Sequence, residues 1–419
     1  MKIPRLSQVA GIVLGCAASA IVLGVLAPGR NRPADADWRI IAECEGALED
    51  LVIHYTPEAS GAVMPVYRDF LRGLAADVTV HVVCSCEEEF EQFEAAAGRA
   101  ACRLSPVVVG HPVTCWSRDR WLALERKERA PGCLLVAPWA EMGADSWPAR
   151  AGDQQVAEDL AAAHRESILA VRSRFHFDGG DFVADAESVF VAPAVLRRNL
   201  HRTVSTPAEL RQCLEKVLAR RVVLLERAPD HHAGMFMMPA GNRTVLVADP
   251  AEGKQLWDQL DGIQRSGIGL PGGPDFSSET IGLFDSVAQR CREVGYRVVR
   301  IPTVAAADGR TYLTYVNVIL DHRGRQPAVY LPSYANAGPL NERAAEIWAG
   351  LGYRVERVDC TTCFRHFGTL RCLVNVLSRS KRESGDVRRH PSAAATGHRE
   401  AVNRAWQTLD RQMGKSVAL

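Results

Sequence analysis

Gly352-Tyr353-Arg354-Val355-Glu356-Arg357 repeats, nearly letter for letter, an earlier stretch, Gly295-Tyr296-Arg297-Val298-Val299-Arg300. Each glycine follows a helical pattern, Glu279 to Val294 in one case and Ala337 to Gly350 in the other, and so reads as a helix C-cap that opens a strand. Downstream of each, Val316-Asn317-Val318 is matched by Val374-Asn375-Val376. The last two units are therefore copies at the level of sequence, which makes an internal repeat the first thing to look for.

Working back from there, four stretches share one pattern: an apolar strand, a polar turn, and a second apolar strand with proline at or just after its end. They are Trp121–Leu124 with Cys133–Pro138, Phe182–Ala184 with Ser188–Pro193, Met235–Met238 with Thr244–Val247 ahead of Pro250, and Tyr315–Leu320 with Ala328–Pro332. The final unit has a first strand, Leu373–Leu377, and then turns polar at Ser378. Leu51–Pro57, an apolar run ending at proline near the other end of the chain, is the expected partner that closes a ring. This predicts an α/β fold of five pseudo-symmetric ββαβ units around an axis, a five-bladed α/β propeller. A doubly wound sheet would explain the alternation of strands and helices but not the hairpins.

The 419 residues are enough for a large core, and 47% hydrophobic residues argue against disorder. A net charge of +1 gives no sign of a nucleic-acid partner and leaves a small molecule or peptide as the default ligand. Residues 1–37 stand apart: Lys2 and Arg5 precede an apolar run, Val9 to Ala27, and Arg30 and Arg32 follow it. The run is long enough to cross a bilayer. It reads as an uncleaved anchor, with a removed signal peptide or lipidation at Cys16 as alternatives, and either way implies export or a membrane location such as a bacterial periplasm or cell surface. Residues 38–380 are the expected folded unit, and 381–419 a polar, basic, partly disordered tail. Cys360-Thr361-Thr362-Cys363 has redox or zinc spacing but no second such pair. Cys84 and Cys86 read as packing residues.

The reactive residues fall at equivalent places on the repeat. Cys115-Trp116-Ser117-Arg118-Asp119 precedes the first hairpin, Asp178-Gly179-Gly180-Asp181 the second, and His231-His232-Ala233-Gly234 the third. Asn317 lies in the fourth, and Arg371-Cys372 precedes the last strand. In a ring of repeats such positions converge on one end of the axis, so acids, a histidine and a cysteine share one pocket. Asp230-His231-His232 could be read as a metal cluster, but neighbours on a strand point to opposite faces.

In this order the motifs resemble those of the guanidino-group-modifying superfamily, the pentein enzymes: agmatine deiminases, bacterial peptidyl-arginine deiminases, arginine deiminases, dimethylarginine hydrolases and amidinotransferases. The resemblance runs from about Leu51 to Arg379. It implies that Asp119 of Trp116-x-Arg118-Asp119 grips the guanidinium, that Asp178 of Asp178-Gly179-Gly180-Asp181 orients a catalytic His232, and that Cys372, ending Gly368-Thr369-Leu370-Arg371-Cys372, is the nucleophile. Trp116, Arg118, Asn317 and Asp181 join Asp119 as expected substrate-binding residues. The chemistry suits the residue types. A carboxylate binds two guanidinium N–H groups side by side, and thiolate is the most nucleophilic side chain near neutral pH. A histidine held by an acid can protonate the leaving amine and then activate water. The implied activity is hydrolysis of a small-molecule or peptidyl guanidine through a thiouronium on Cys372, with no metal and no organic cofactor. An amidinotransferase and a non-catalytic guanidine-binding homologue are the alternatives. Where family members acting on unsubstituted guanidines have His-x-Asp, this chain has Gly234, which is expected to leave open space and favour an N-substituted guanidine.

Overall fold

In the computed structural model of the protein, residues 38–126, 132–139 and 148–380 are described. The expected anchor and basic tail lie outside these residues. Among the described residues no helix is long and apolar enough to cross a membrane.

The chain is a mixed α/β fold in which one arrangement recurs: an antiparallel hairpin whose second strand is joined by a parallel third strand. Leu122–Arg126, Cys133–Ala137 and Ile168–Arg172 form the first. Phe182–Ala184, Ser188–Val191 and Arg221–Leu224 form the second. Met237–Gly241, Thr244–Asp249 and Arg297–Pro302 form the third, and Ile319–Asp321, Ala328–Ser333 and Arg354–Asp359 the fourth. In the last sheet the hairpin is replaced by a pairing between chain ends. Val374–Ser380 runs antiparallel to Ala47–His54, with Val374 opposite Ile53, and Thr79–Cys84 and Arg103–Val108 follow in parallel. Parallel neighbours need a crossover. Helices such as Pro207–Leu218, Ser278–Glu293 and Gly338–Gly350 supply it.

Local chemistry sets these elements. Ser188–Val191 is buried throughout, as expected of a strand covered on both faces. Helix Ser278–Glu293 starts where the Ser277 hydroxyl accepts the Thr280 N–H at 3.2 Å and ends ahead of Gly295. Gly295 and its counterpart Gly352 have φ of +92° and +91°, the left-handed turn that sends the chain back into a strand.

Two strand expectations are corrected. The strand paired with Val374–Ser380 spans Ala47–His54 and stops short of Pro57, which instead opens a 3-10 turn. Tyr315–Val318 is not a strand; the ladder begins at Ile319. The side chains of Thr314 and Asn317 bond out of this segment, to the carbonyls of Met235 at 2.8 Å and Gly234 at 2.9 Å, which bends the backbone off the sheet. Irregularity of this kind recurs. The 3-10 turns Gly179–Asp181, Ala233–Met235 and Leu370–Leu373 each lead into the first strand of their sheet. Asp178 and His232 each stand immediately before their turn, whereas Cys372 lies within its own, after Thr369 at the corresponding place.

Candidate active site

Cys372 lies in the turn Leu370–Leu373 and is nearly buried. Its backbone N–H donates to the Thr369 carbonyl at 3.0 Å. The sulfur sits 3.5 Å from the Asn317 amide nitrogen and 3.8 Å from the Met235 sulfur. Asn317 spends the rest of its amide on the same turn: its Oδ1 accepts the Thr369 hydroxyl at 2.7 Å and the Arg371 N–H at 3.0 Å. A fully buried amide with every group engaged holds the cysteine turn in place. This geometry makes Asn317 a positioning residue for Cys372. Trp116 is half-buried, with its ring against Gly368 on the approach to that turn.

His232 stands between two carboxylates. Its Nδ1 is 3.8 Å from Asp119 Oδ1 and its Nε2 is 3.5 Å from Asp178 Oδ2. Burial works against its positive charge, but the Asp119 charge, the Asp178 contact and the neighbouring Cys372 overcome it and hold the imidazole well above its ordinary range. Gly180 makes this approach possible, since a Cβ there would fall 2.5 Å from His232 Nδ1. Asp178 is partly sheltered, which works to raise its carboxyl, yet His232, Arg198 at 2.9 Å and Arg120 at 3.9 Å keep it far below the usual carboxylate range. Three residues on, Asp181 behaves oppositely. Burial pushes it up to about 6, only partly offset by the charges of His232 and Arg198. Its Oδ2 accepts the Asp178 N–H at 3.0 Å, so it braces the turn that carries Asp178. Asp119 is set by its own turn, its N–H donating to the Trp116 carbonyl at 3.3 Å and its carbonyl accepting the Gly179 N–H at 2.7 Å.

Beneath these groups lies a buried charge cluster absent from the sequence reading. Glu43 Oε1 accepts from Arg371 at 2.5 Å and from Arg118 at 3.0 Å, while Arg118 also donates to Asn375 at 2.9 Å. Burial would raise the Glu43 carboxyl, but the two guanidinium groups hold it down at about 2. Burial and the Arg371 charge bring Arg118 down to about 10. Arg118, expected to touch substrate, thus points into the floor beneath the site.

The expectation of open space at Gly234 is corrected as well. A Cβ there would lie 2.4 Å from Arg371 Nη1, so the volume is already filled by the Arg371 side chain. That side chain is fixed by Glu43 and by the Phe182 carbonyl at 2.8 Å. An aspartate at 234 would collide with it, and the preference for an N-substituted guanidine loses the space on which it rested.

Sequence reasoning also missed Arg150, which reaches in from the short helix Pro148–Asp153 and donates to Asp119 Oδ2 at 3.1 Å. No spacing marked it, because it belongs to none of the repeated motifs. Cys360 and Cys363 are buried thiols, and the neighbouring Cys360 and burial push Cys363 well above the ordinary thiol range. All the described cysteines are unpaired.

No family model matches the sequence, and no curated protein matches it. Solved structures do match. The agmatine deiminase of C. jejuni has a TM-score of 0.60 at 15% identity, covering 82% of this chain and 97% of its own. A Cys-to-Ser variant of that enzyme with substrate bound gives 0.61 at 13% identity over 82% and 97%. The agmatine deiminase of Enterococcus faecalis gives 0.59 at 12% over 81% and 95%. The chain therefore has the fold of these agmatine deiminases.

Proposed function

We propose that the protein is a cysteine-dependent hydrolase of the C–N bond of a guanidinium group, deiminase-like, with Cys372 as nucleophile, His232 as acid and base, and Asp178 and Asp119 as the acids on either side of it. The observation that carries this reading is His232, which lies between two sheltered carboxylates beside a cysteine with its imidazole held well above its ordinary range, the four residues coming from turns that lead into different sheets. Shared fold with agmatine deiminases supports it. Five of the six sheets among the described residues are read as the blades of one propeller, with these turns at one end of its axis. The folded unit, residues 38–380, is read as the catalytic one, and the N-terminal apolar run as its membrane anchor or export signal.

In the proposed reaction, Asp119 fixes the planar guanidinium so that its carbon faces sulfur, a gain from proximity. The Cys372 thiolate attacks that carbon, forming a C–S bond. His232 passes a proton to the departing nitrogen as the C–N bond breaks, releasing ammonia or an amine. His232 then takes a proton from water, whose oxygen adds to the thiouronium carbon. The C–S bond breaks as the added hydroxyl gives up its proton to solvent, leaving a ureido product, the free thiolate and a protonated His232. A substrate panel scored for ureido product and ammonia tests the reading, together with 2-chloroacetamidine labelling. The expected result is turnover of at least one guanidine, lost by a factor of about 10⁴ or more in Cys372→Ser and in His232→Gln, with the label on Cys372. Retained turnover in Cys372→Ser overturns it.

A further inference from the structure

Resting on that reading, we propose that Arg150 is a built-in guanidinium occupying the substrate's place on Asp119, so that substrate binds by displacing it and Arg150 sets which guanidines bind. Asp119 Oδ2 already accepts from Arg150 Nη1 at 3.1 Å, while Oδ1 faces His232 Nδ1 at 3.8 Å. The Oδ2 side of this carboxylate is taken by Arg150, so a two-pronged grip on an incoming planar cation would set a second guanidinium against Arg150, a like charge in a sheltered site. A two-pronged grip on substrate by Asp119 therefore requires the chain's own arginine to move.

The surroundings of Arg150 are those of an exchangeable ligand. Its side chain is 20% exposed, against 1% for Arg371 and 9% for Arg118 in the floor cluster. Within reach are two further acceptors, Asp153 Oδ2 at 3.4 Å and Asp178 Oδ1 at 4.0 Å. Asp153 is fully buried and anchored: its carboxylate accepts the Thr114 N–H at 2.8 Å and hydroxyl at 2.6 Å. A guanidinium released from Asp119 therefore keeps a fixed partner three residues along its own helix. Burial opposes the charge on Arg150, but Asp119, Asp153 and Asp178 together push it above even the ordinary arginine value, so displacement must come from motion and not from loss of a proton. The three acids are shared between cations, and the substrate competes for a share.

The probe is 2-chloroacetamidine, whose planar amidinium uses the guanidinium place while its chloromethyl carbon alkylates Cys372. Full-length wild type, Arg150→Gln and Arg150→Lys are inactivated over a concentration series, and KI is separated from kinact. Arg150→Gln is expected to lower KI about tenfold, the scale of one charge-assisted hydrogen bond. Arg150→Lys, which keeps the charge but not the fork, is expected to fall between and to report even if the Gln variant does not fold. An unchanged or raised KI, with saturable labelling in both proteins, overturns the role of Arg150 alone and makes it a fixed part of the wall. Absence of saturable labelling at Cys372 in wild type and variants alike overturns the guanidine reading and this inference with it.

Discussion

Two arginine–carboxylate clusters neighbour each other in this molecule, Arg118 of one adjoining Asp119 of the other along the chain. In the floor, one carboxylate, Glu43, holds Arg118 and Arg371 at 3.0 and 2.5 Å, and none of the three side chains is more than 9% exposed. In the wall, Asp119 and Asp178 meet Arg150, Arg198 and His232 at 2.9 to 4.0 Å, with Arg198 41% exposed. The floor is dry, short and locked to backbone as well. The wall is looser and partly wet. Opposite charges with the same side chains thus do different jobs. A pair removed from water is strongly penalised when one partner goes, whereas a pair in contact with water can exchange partners at little cost.

The sharpest way to break this contrast is Glu43→Gln. It keeps the shape but leaves two buried guanidinium groups without a counter-charge, and is expected to cost about 3–5 kcal/mol in denaturant unfolding. The pH dependence has a definite sign. The folded carboxyl is depressed, from an ordinary 4.5 to about 2, so its contribution is complete above pH 4.5 and is lost as pH falls toward 2. The variant is expected to lack that acid limb. A variant as stable as wild type would mean that the floor is no more structural than the wall.

A smaller effect separates two acids of the wall itself. Asp178 is stabilised as an anion, whereas Asp181, on the same turn, is pushed up from an ordinary 3.8 to about 6 by burial. A carboxyl raised on folding makes the native state bind more protons, so Asp181 lowers stability as pH rises from about 4 to about 6. Asp181→Asn is expected to match wild type near pH 4 and exceed it by up to about 3 kcal/mol at pH 7. An Asn variant that is weaker at pH 7 would show that the Asp181 charge is needed by Arg198, at 3.3 Å, more than burial penalises it.

How much of this was legible follows from what sequence encodes. The hairpins and the copied strands at Gly295 and Gly352 were visible because apolar alternation and glycine caps are local. The three reactive turns were visible because they recur at one place on the repeat. The tripeptides Val316-Asn317-Val318 and Val374-Asn375-Val376 show the limit. The first is bent, with Asn317 against Cys372, and the second is a regular strand in which Asn375 holds Arg118. Identical letters diverge because one segment is bonded to Gly234 and Thr369 and the other to a neighbouring strand. Glu43 and Arg150 were illegible for a related reason. They reach the site from segments outside the repeated motifs, and an ion pair formed across 328 residues leaves no spacing to read.

The smallest expected effect concerns the two adjacent histidines, and it tests whether the wall's chemistry belongs to His232 alone. His231 is the structural one. Burial and then the charge of His232 bring it down to about 3, so it is neutral at physiological pH. Its Nδ1 accepts the backbone N–H of His232 at 2.7 Å, which leaves Nε2 to donate to the Phe367 carbonyl at 3.0 Å. It therefore ties the His232 backbone to the segment leading to Cys372 without entering the chemistry. His231→Ala removes both bonds and is expected to cost about 1–3 kcal/mol of stability, since it strands a sheltered N–H. The loss of turnover is expected to stay within about tenfold, a displacement of the imidazole worth little more than 1 kcal/mol. The stability cost has a pH signature. A base whose folded pKa is depressed contributes fully above its ordinary 6.5 and loses that contribution as pH falls toward 3. The gap between wild type and His231→Ala is expected to close over that window, and His231→Asn, which keeps an acceptor, is expected to recover part of it. If His231→Ala loses turnover as completely as His232→Gln, the acid–base role belongs to the pair or to the other histidine, and the division between structural floor and chemical wall runs through the wrong residue.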